Sequence, residues 1–289
     1  MLFKKIDSTL RGNPGVEIVA ALQAFGCEAM VVNPAFPAQK RVVKGGILRV
    51  TGDPSFQPIE IGAWLRTHGA TDRGHVRPPE IAVAIAGGAR FVFLDAVRDG
   101  DLSSIAAESL QIGKRVLWAG SGGLAAALAR SICSHARPPA HPPKQTGQVL
   151  FCVGSDHRVT LEQQTRFLQQ RNVQLLHAAT SAIGAVGAEI EYGNHVLLRI
   201  PRGEIPAESL RSLLSDAHPA ALLLSGGDTA SLVCRALGAK AVEMCCELVP
   251  GIPIGVLRGG VAENCTIVTK SGGFGSPDDL IRIGDYFHG

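Results

Sequence analysis

Ten residues near the start of the chain, Lys4-Lys-Ile-Asp-Ser-Thr-Leu-Arg-Gly-Asn13, gather two ammonium groups, a carboxylate, two hydroxyls, a guanidinium and an amide. A guanidinium grips a carboxylate with two parallel hydrogen bonds, an ammonium offsets anionic charge, and a carboxylate accepts a proton. The cluster runs into Pro14-Gly-Val-Glu17, where Asn13 is expected to cap a helix and Pro14 suits its first position. It would then sit at a helix N-terminus, where anions are stabilised. A charged tail ending in an ordinary cap is the plainer reading of the same spacing.

Three further segments each place glycines or hydroxyls just after an apolar run. Leu224-Ser-Gly-Gly-Asp-Thr-Ala230 is expected to leave a strand and enter a helix through Asp228 or Thr229, so that free N–H groups face a phosphate across Gly226 and Gly227. Thr269-Lys-Ser-Gly-Gly-Phe-Gly-Ser-Pro-Asp-Asp279 repeats the pattern with Gly272 and Gly273, and predicts a helix with Ser276 as cap and Pro277 at its first position. Val153-Gly-Ser155 is the third such turn, offering the Ser155 hydroxyl. Lys270, at a strand end, is placed to meet a phosphate or to stay solvated. No Walker A loop occurs. Gly120-Ser-Gly-Gly-Leu-Ala125 fits a dinucleotide fingerprint, but no Asp or Glu lies between Glu108 and Asp156 to hold a ribose, so it reads as a tight turn.

The elements that must position these groups come from apolar periodicity. Strands are expected at Met30 to Asn33, Phe91 to Asp95 and Arg115 to Trp118, with helices at Pro14 to Phe25, Leu102 to Ile112 and Leu124 to Cys133. Four prolines between Ala136 and Lys144 deny helix and predict a stiff connector. Beyond it the alternation restarts, with strands at Val149 to Val153, Val173 to His177, His195 to Ile200, Ala220 to Leu224 and Thr266 to Thr269. Helices are expected at Thr160 to Gln170, Ala182 to Glu191, Ala207 to Leu214, Thr229 to Leu237 and Pro277 to Phe287. The expected fold is α/β: two α/β domains, 1–140 and 145–289, with largely parallel sheets and an interdomain cleft. Ligands of such sheets bind beyond the carboxyl ends of the strands.

Composition excludes several classes. A net charge of +3 with scattered Lys and Arg, and 5% aromatic residues, offers nucleic acid neither a basic stripe nor stacking platforms. The seven cysteines include no C-x-x-C pair and read as buried thiols, with Cys245 and Cys246 in the core; no metal-binding spacing of His or Cys is present. No charge-free apolar stretch is long enough to span a bilayer, and no leader follows Met1, so the expected location is cytoplasmic.

With these residues in view, the chain resembles the four-carbon acid sugar kinase family. The resemblance is carried by the Lys4 to Asn13 motif, Asn33-Pro-Ala-Phe-Pro37, the Gly120 to Ala125 turn, Ser225-Gly-Gly-Asp-Thr-Ala230, Glu247-Leu-Val-Pro-Gly-Ile-Pro253 and Thr269-Lys-Ser-Gly-Gly-Phe-Gly275, in that order. It implies an N-terminal domain that binds a sugar acid, a C-terminal domain that binds ATP with Mg2+, and phosphorylation of the terminal hydroxyl of threonate, erythronate or a 3-oxo acid. Carried over, Lys4, Ser8, Arg11 and Asn13 would bind the acid, with Asp7 and Lys5 as catalytic residues. Ser155, Gly226, Gly227, Asp228, Thr229, Gly272 and Gly273 would hold the nucleotide. Partners are then a small sugar acid and ATP, not nucleic acid or membrane.

Two departures from the family pattern stand out. Members usually begin with a strand and an Asp-Asp-x-Thr-Gly motif well upstream of Lys-Lys-x-Asp-Ser-Thr, whereas this sequence starts at the latter. The expected consequences are an incomplete N-terminal sheet covered by a homodimer or swapped packing, or else disorder around Met1 to Asn13, and low turnover. The alternative function is accordingly a catalytically impaired nucleotide-binding remnant. At Val153-Gly-Ser-Asp-His157 the family more often shows Ser-Gly-Ser-x-Ser, so Val153 and His157 replace two hydroxyls.

Overall fold

The computed structural model describes residues 1–71, 73–112, 115–133, 145–179, 182–201, 205–215 and 217–288. The chain divides into two compact units, Met1–Ala136 and Arg137–Gly289. The proline-rich connector expected from Ala136 to Lys144 lies outside the described residues.

The first unit runs β1 (Leu2–Lys5), α1 (Pro14–Ala24), β2 (Ala29–Asn33), β3 (Arg41–Lys44), β4 (Ile47–Val50), β5 (Ile59–Glu60), α2 (Ile61–Thr67), β6 (Arg73–His75), α3 (Ile81–Ala86), β7 (Phe91–Phe93), α4 (Asp99–Leu110), β8 (Val116–Gly120) and α5 (Gly122–Ile132). A parallel sheet of order β1-β8-β2-β7-β6 forms its centre, and β3, β4 and β5 make a small antiparallel sheet beside it. Strands β2, β7 and β8 are buried along their whole length, which is why their sequences are unbroken apolar runs rather than alternating ones. Val43 of β3 exchanges backbone hydrogen bonds with Ala96, tying the small sheet to the end of β7.

Met1 to Asn13 take a defined course, which corrects the expectation of disorder there. Leu2–Lys5 pairs in parallel with Leu117–Gly120 of β8, and Ile6 N–H continues the ladder to the Gly120 carbonyl. Burial of Ile6 and Leu10 in the unit's core anchors the turn that leaves β1. The hairpin of β3 and β4, and helices α2 and α3, give no clear periodic signal in the sequence, because each element is short.

The second unit runs β9 (Val149–Val153), α6 (Arg158–Phe167), β10 (Val173–His177), α7 (Ala185–Glu191), β11 (His195–Arg199), α8 (Ala207–Ser215), β12 (Ala221–Ser225), α9 (Gly227–Ala236), β13 (Ala241–Val249), β14 (Ile252–Arg258), β15 (Thr266–Lys270) and α10 (Asp279–Phe287). Its sheet has the order β10-β11-β9-β12-β15-β14-β13, parallel through β15 and antiparallel for β14 and β13. One face carries Leu150, Cys152, Leu222 and Leu224 against α8 and α9; the other carries Phe151, Leu223 and Val268 against α6 and α10. Fully burying each such side chain stabilises the fold by about 1.5–3 kcal/mol.

Cys245 and Cys246 are not in the core. They lie on β13, the edge strand of this sheet, and both are partly exposed, while Cys133 is exposed. Only Cys27 and Cys152 are buried thiols. Burial pushes the Cys152 thiol up to about 12 and Cys265 to about 11, so neither is a nucleophile at neutral pH.

His195 fastens the entry of β9. Its Nδ1 accepts the Val149 N–H at 2.9 Å, and its ring packs against Phe151 and Phe167. Burial, with the neighbouring His288, pulls its pKa from 6.5 down to about 4, against a smaller opposing pull from Asp285. The unfolded chain therefore binds a proton between pH 6.5 and 4 that the folded unit refuses, and stability falls as pH drops through that window. Urea unfolding should show a loss of up to about 3 kcal/mol between pH 6.5 and 4. His195→Asn, which keeps an acceptor near the Nδ1 position, should lack that slope; an equal slope in the variant would assign it elsewhere.

Candidate functional site

In the first unit the Lys4 to Asn13 motif leaves the carboxyl end of β1 and turns at once. Leu10 N–H closes the turn on the Asp7 carbonyl, with Leu10 at φ 59 and Gly12 at φ 83. A branched residue in the left-handed region costs about 1 kcal/mol or more, and burial of the Leu10 side chain opposes that cost.

Asp7 is the hub of the turn. Its Oδ1 accepts from the Thr9 N–H at 2.8 Å, the Thr9 hydroxyl at 2.5 Å and Arg11 Nε at 3.3 Å, and its Oδ2 accepts from Arg11 Nη2 at 2.9 Å. Partial burial raises the carboxyl pKa, but the bonds from Arg11 and Thr9 outweigh it and hold the group at about 2. Arg11 is thereby oriented while its side chain stays 73% exposed.

The turn does not bring every expected residue to one place. Lys4 pairs with Glu17 of α1 at 2.6 Å, and Lys5 donates to the Ile6 carbonyl, as neighbours on a strand that face opposite ways. Ser8 is buried. Asn13 makes no side-chain cap, contrary to expectation; Pro14 does open α1, and Asn13 contributes its carbonyl to Glu17 N–H.

The remaining carboxyl ends of this sheet hold groups that spacing does not single out. Buried Asn33 donates to the Leu94 carbonyl and accepts from Ala35 N–H, joining the ends of β2 and β7. Asp95 accepts the N–H groups of Gly45 and Gly46 at 2.7 and 2.8 Å and contacts His75 Nε2 at 2.9 Å, with the His75 ring stacked on Phe93. Burial raises the Asp95 pKa, but these bonds outweigh it, for a net downward shift. Arg41 is buried within the electrostatic reach of Asp7, Arg11 and Asp53. The Gly120 to Gly123 turn is explained by close approach of backbone: a Cβ at Gly120 would stand 2.8 Å from the Asn33 carbonyl, and one at Gly123 2.7 Å from the Ala35 carbonyl.

In the second unit the three expected turns do converge, because β9, β12 and β15 are adjacent and parallel and pair Val153 with Ser225 and Ser225 with Lys270. The Gly226 N–H bonds the Lys270 carbonyl. A Cβ at Gly154 would stand 2.5 Å from Thr229 Oγ1, and one at Gly272 2.1 Å from Ser155 Oγ, so the segments touch. Gly226, at φ 107, occupies the cap position of α9. Asp228 is therefore not the cap; it lies exposed in the first turn, and Thr229 is buried.

The third turn is built so that its carbonyls point inward. Thr160 Oγ1 donates to the Gly272 carbonyl, Gln163 Nε2 to the carbonyls of Phe274 and Ser276, and Lys270 Nζ to those of Ser271 and Phe274. Among the described residues, the N–H groups of Gly272 and Gly273 meet no backbone acceptor. Ser276 is not a helix cap: its N–H and hydroxyl both donate to buried Asp279, where α10 begins. Ser225 Oγ is fully buried and, among the described residues, meets no hydrogen-bond partner, beside the start of α9. Arg199, at the end of β11, donates to the Ser155 carbonyl and pairs with Asp156 at 2.8 Å.

Val153 is buried beneath this edge, and His157 caps α6 through Nδ1, which accepts Val159 N–H at 3.2 Å. The capping that a serine would perform is thus retained. Among the described residues no cluster of His, Cys, Asp and Glu could hold a metal ion unaided, and no helix is long and apolar enough to cross a membrane.

Close packing of Gly154 is testable by itself. Gly154→Ala should destabilise the unit by about 1–3 kcal/mol in urea unfolding, since the added carbon meets Thr229 Oγ1 and the Ile200 carbonyl. Gly227→Ala, with nothing within 4 Å, should be neutral or mildly stabilising. Equal effects would mean that the turns are not in contact.

Comparison with known proteins agrees with this architecture. Residues 1–60 match the family described as a sugar-binding N-terminal domain and residues 203–280 the one described as a nucleotide-binding C-terminal domain. A D-threonate kinase of Bordetella bronchiseptica is 35% identical over 97% of this chain and 76% of its own length. A D-erythronate kinase of Heliobacterium modesticaldum is 28% identical over 98% of this chain and 78% of its own. The fold matches a crystal structure from Salmonella typhimurium LT2 at a TM-score of 0.71, with 18% identity over 99% of this chain and 81% of that one. The chain belongs to the four-carbon acid sugar kinase family.

Proposed function

We propose that this family member transfers the γ-phosphoryl group of ATP to the terminal hydroxyl of a four-carbon sugar acid, with D-threonate as the first acid to test. The observation that carries the reading is the convergence of the Ser155, Gly226 to Thr229 and Gly272 to Gly273 turns at one sheet edge. Inward-turned carbonyls leave amide donors for phosphate oxygens, and the start of α9 adds its positive dipole end.

Phosphoryl transfer needs alignment and charge neutralisation more than covalent help. In the first unit Arg11, held by Asp7, is suited to clamp the acid's carboxylate bidentately, and Lys5 to offset phosphate charge. Asn13, exposed next to the turn, completes the acid-facing set, whereas Lys4, paired with Glu17 on the other side of β1, and buried Ser8 are given no direct contact with the acid. A carboxyl held at about 2 is a weak base at neutral pH, so the main part assigned to Asp7 is to orient Arg11. The exposed carboxylate of Asp228 suits a Mg2+ carried chiefly by the phosphates, whose chemistry is to neutralise their charge.

Release of ADP should depend on both Mg-ATP and one of D-threonate, D-erythronate or the 3-oxo acid. Arg11→Met should lower acid-dependent turnover roughly 100-fold while leaving the ATP dissociation constant within a factor of about two. Asp228→Asn should do the reverse, weakening Mg-ATP without unfolding α9, because the residue is not its cap. ADP release independent of all three acids, or no binding of ATP, would refute the reading.

A further inference from the structure

We propose, on the nucleotide reading above, that Lys270 is a positioning residue that acts from beneath residues 271–276, drawing their carbonyls inward and so aiming the Gly272 and Gly273 amides at the phosphates. Lys270 is 3% exposed, and its Nζ reaches the Ser271 carbonyl at 2.9 Å and the Phe274 carbonyl at 3.1 Å. Two of its three protons are thus committed to the loop. Its own carbonyl takes the Gly226 N–H, so one residue joins both glycine turns.

A purely structural role accounts poorly for the charge. Burying an ammonium is costly, and an apolar side chain of similar volume would often stabilise the site as well or better. Around Lys270 stand Ser225 on β12, Thr160 and Gln163 on α6, and Asp279 on α10, of which only Asp279 is charged and is itself contacted by Arg282. Burial lowers the Lys270 pKa to about 8, and Asp279 offsets part of that fall. The charge is retained where charge-assisted bonds fix a loop whose glycines have no side chains to fix it.

The test uses the full chain. Hydrogen exchange at residues 271–276 is measured without nucleotide, and ATP binding by calorimetry, in the wild type and in Lys270→Met. Expected are exchange and ATP dissociation constant both raised roughly tenfold or more, with the KM of the acid unchanged. Weakened ATP binding with unaltered exchange in the free protein would make Lys270 a direct phosphate ligand and overturn the proposal; unchanged ATP binding would overturn it too. If the wild type itself fails to bind ATP, the nucleotide reading falls and takes this one with it, a distinct result. Lys270→Gln, which keeps one donor to the loop, carries the same test should the methionine variant not fold.

Discussion

Parallel pairing of β9, β12 and β15 in register is the constraint on which the second unit's three glycine turns depend. Strands so paired end at one level, so the residues after Val153, Ser225 and Lys270 have to share a small space. Glycine at 154 and 272 is what lets them share it, because a Cβ at either would stand 2.5 Å or less from a neighbouring turn, while Gly226 supplies a φ of 107. Among the described residues, the Gly272 and Gly273 amides at this edge meet no backbone acceptor. Free amides of this kind are the feature on which the proposed phosphate contact rests.

The first unit solves a different problem, that of holding an exposed guanidinium still. A surface Arg loses considerable freedom when fixed, and an ordinary surface ion pair hardly offsets that loss. Here Asp7 is itself fixed by two bonds from Thr9 before it meets Arg11, and Leu10 is buried in a left-handed conformation that only a tightly determined turn tolerates. The orientation of Arg11 is therefore set by residues that need no substrate to find their places.

Much of this was legible in the residues themselves. Fully buried parallel strands announce themselves as apolar runs, and Leu222-Leu-Leu224 or Met30-Val-Val32 leave little choice; the glycine turns after them mark where a ligand would lie. The misses have two causes, competition between alternative local partners and contacts distant in sequence. Nothing local tells that Asn13 will offer its carbonyl rather than its side chain, or that Ser276 will donate to Asp279 instead of capping a helix. Nor does spacing bring Thr160 and Gln163 under a loop more than a hundred residues later, at separations of 112 and 111. The pair Cys245-Cys246 reads as core because β13 is apolar, but an edge strand with one neighbour buries less than its composition suggests.

At the two positions that depart from the family's serine-rich turn, the local structure is kept despite the change of residue type. Val153 sits with Ser225 and Lys270 on the face toward α6 and α10, and a valine there adds apolar contact without asking for a partner in a region where Ser225 Oγ already lacks one among the described residues. A hydroxyl in its place would need its own hydrogen bond or bear the cost of desolvation. His157 keeps the one capping contact that the helix start requires, through ring nitrogen rather than hydroxyl oxygen. What the substitutions remove is side-chain hydroxyl; what they leave is the backbone amide geometry of three turns. If phosphate recognition at this edge is chiefly a matter of amides, as the inward-turned carbonyls of residues 271–276 argue, the departures touch the least important part of it.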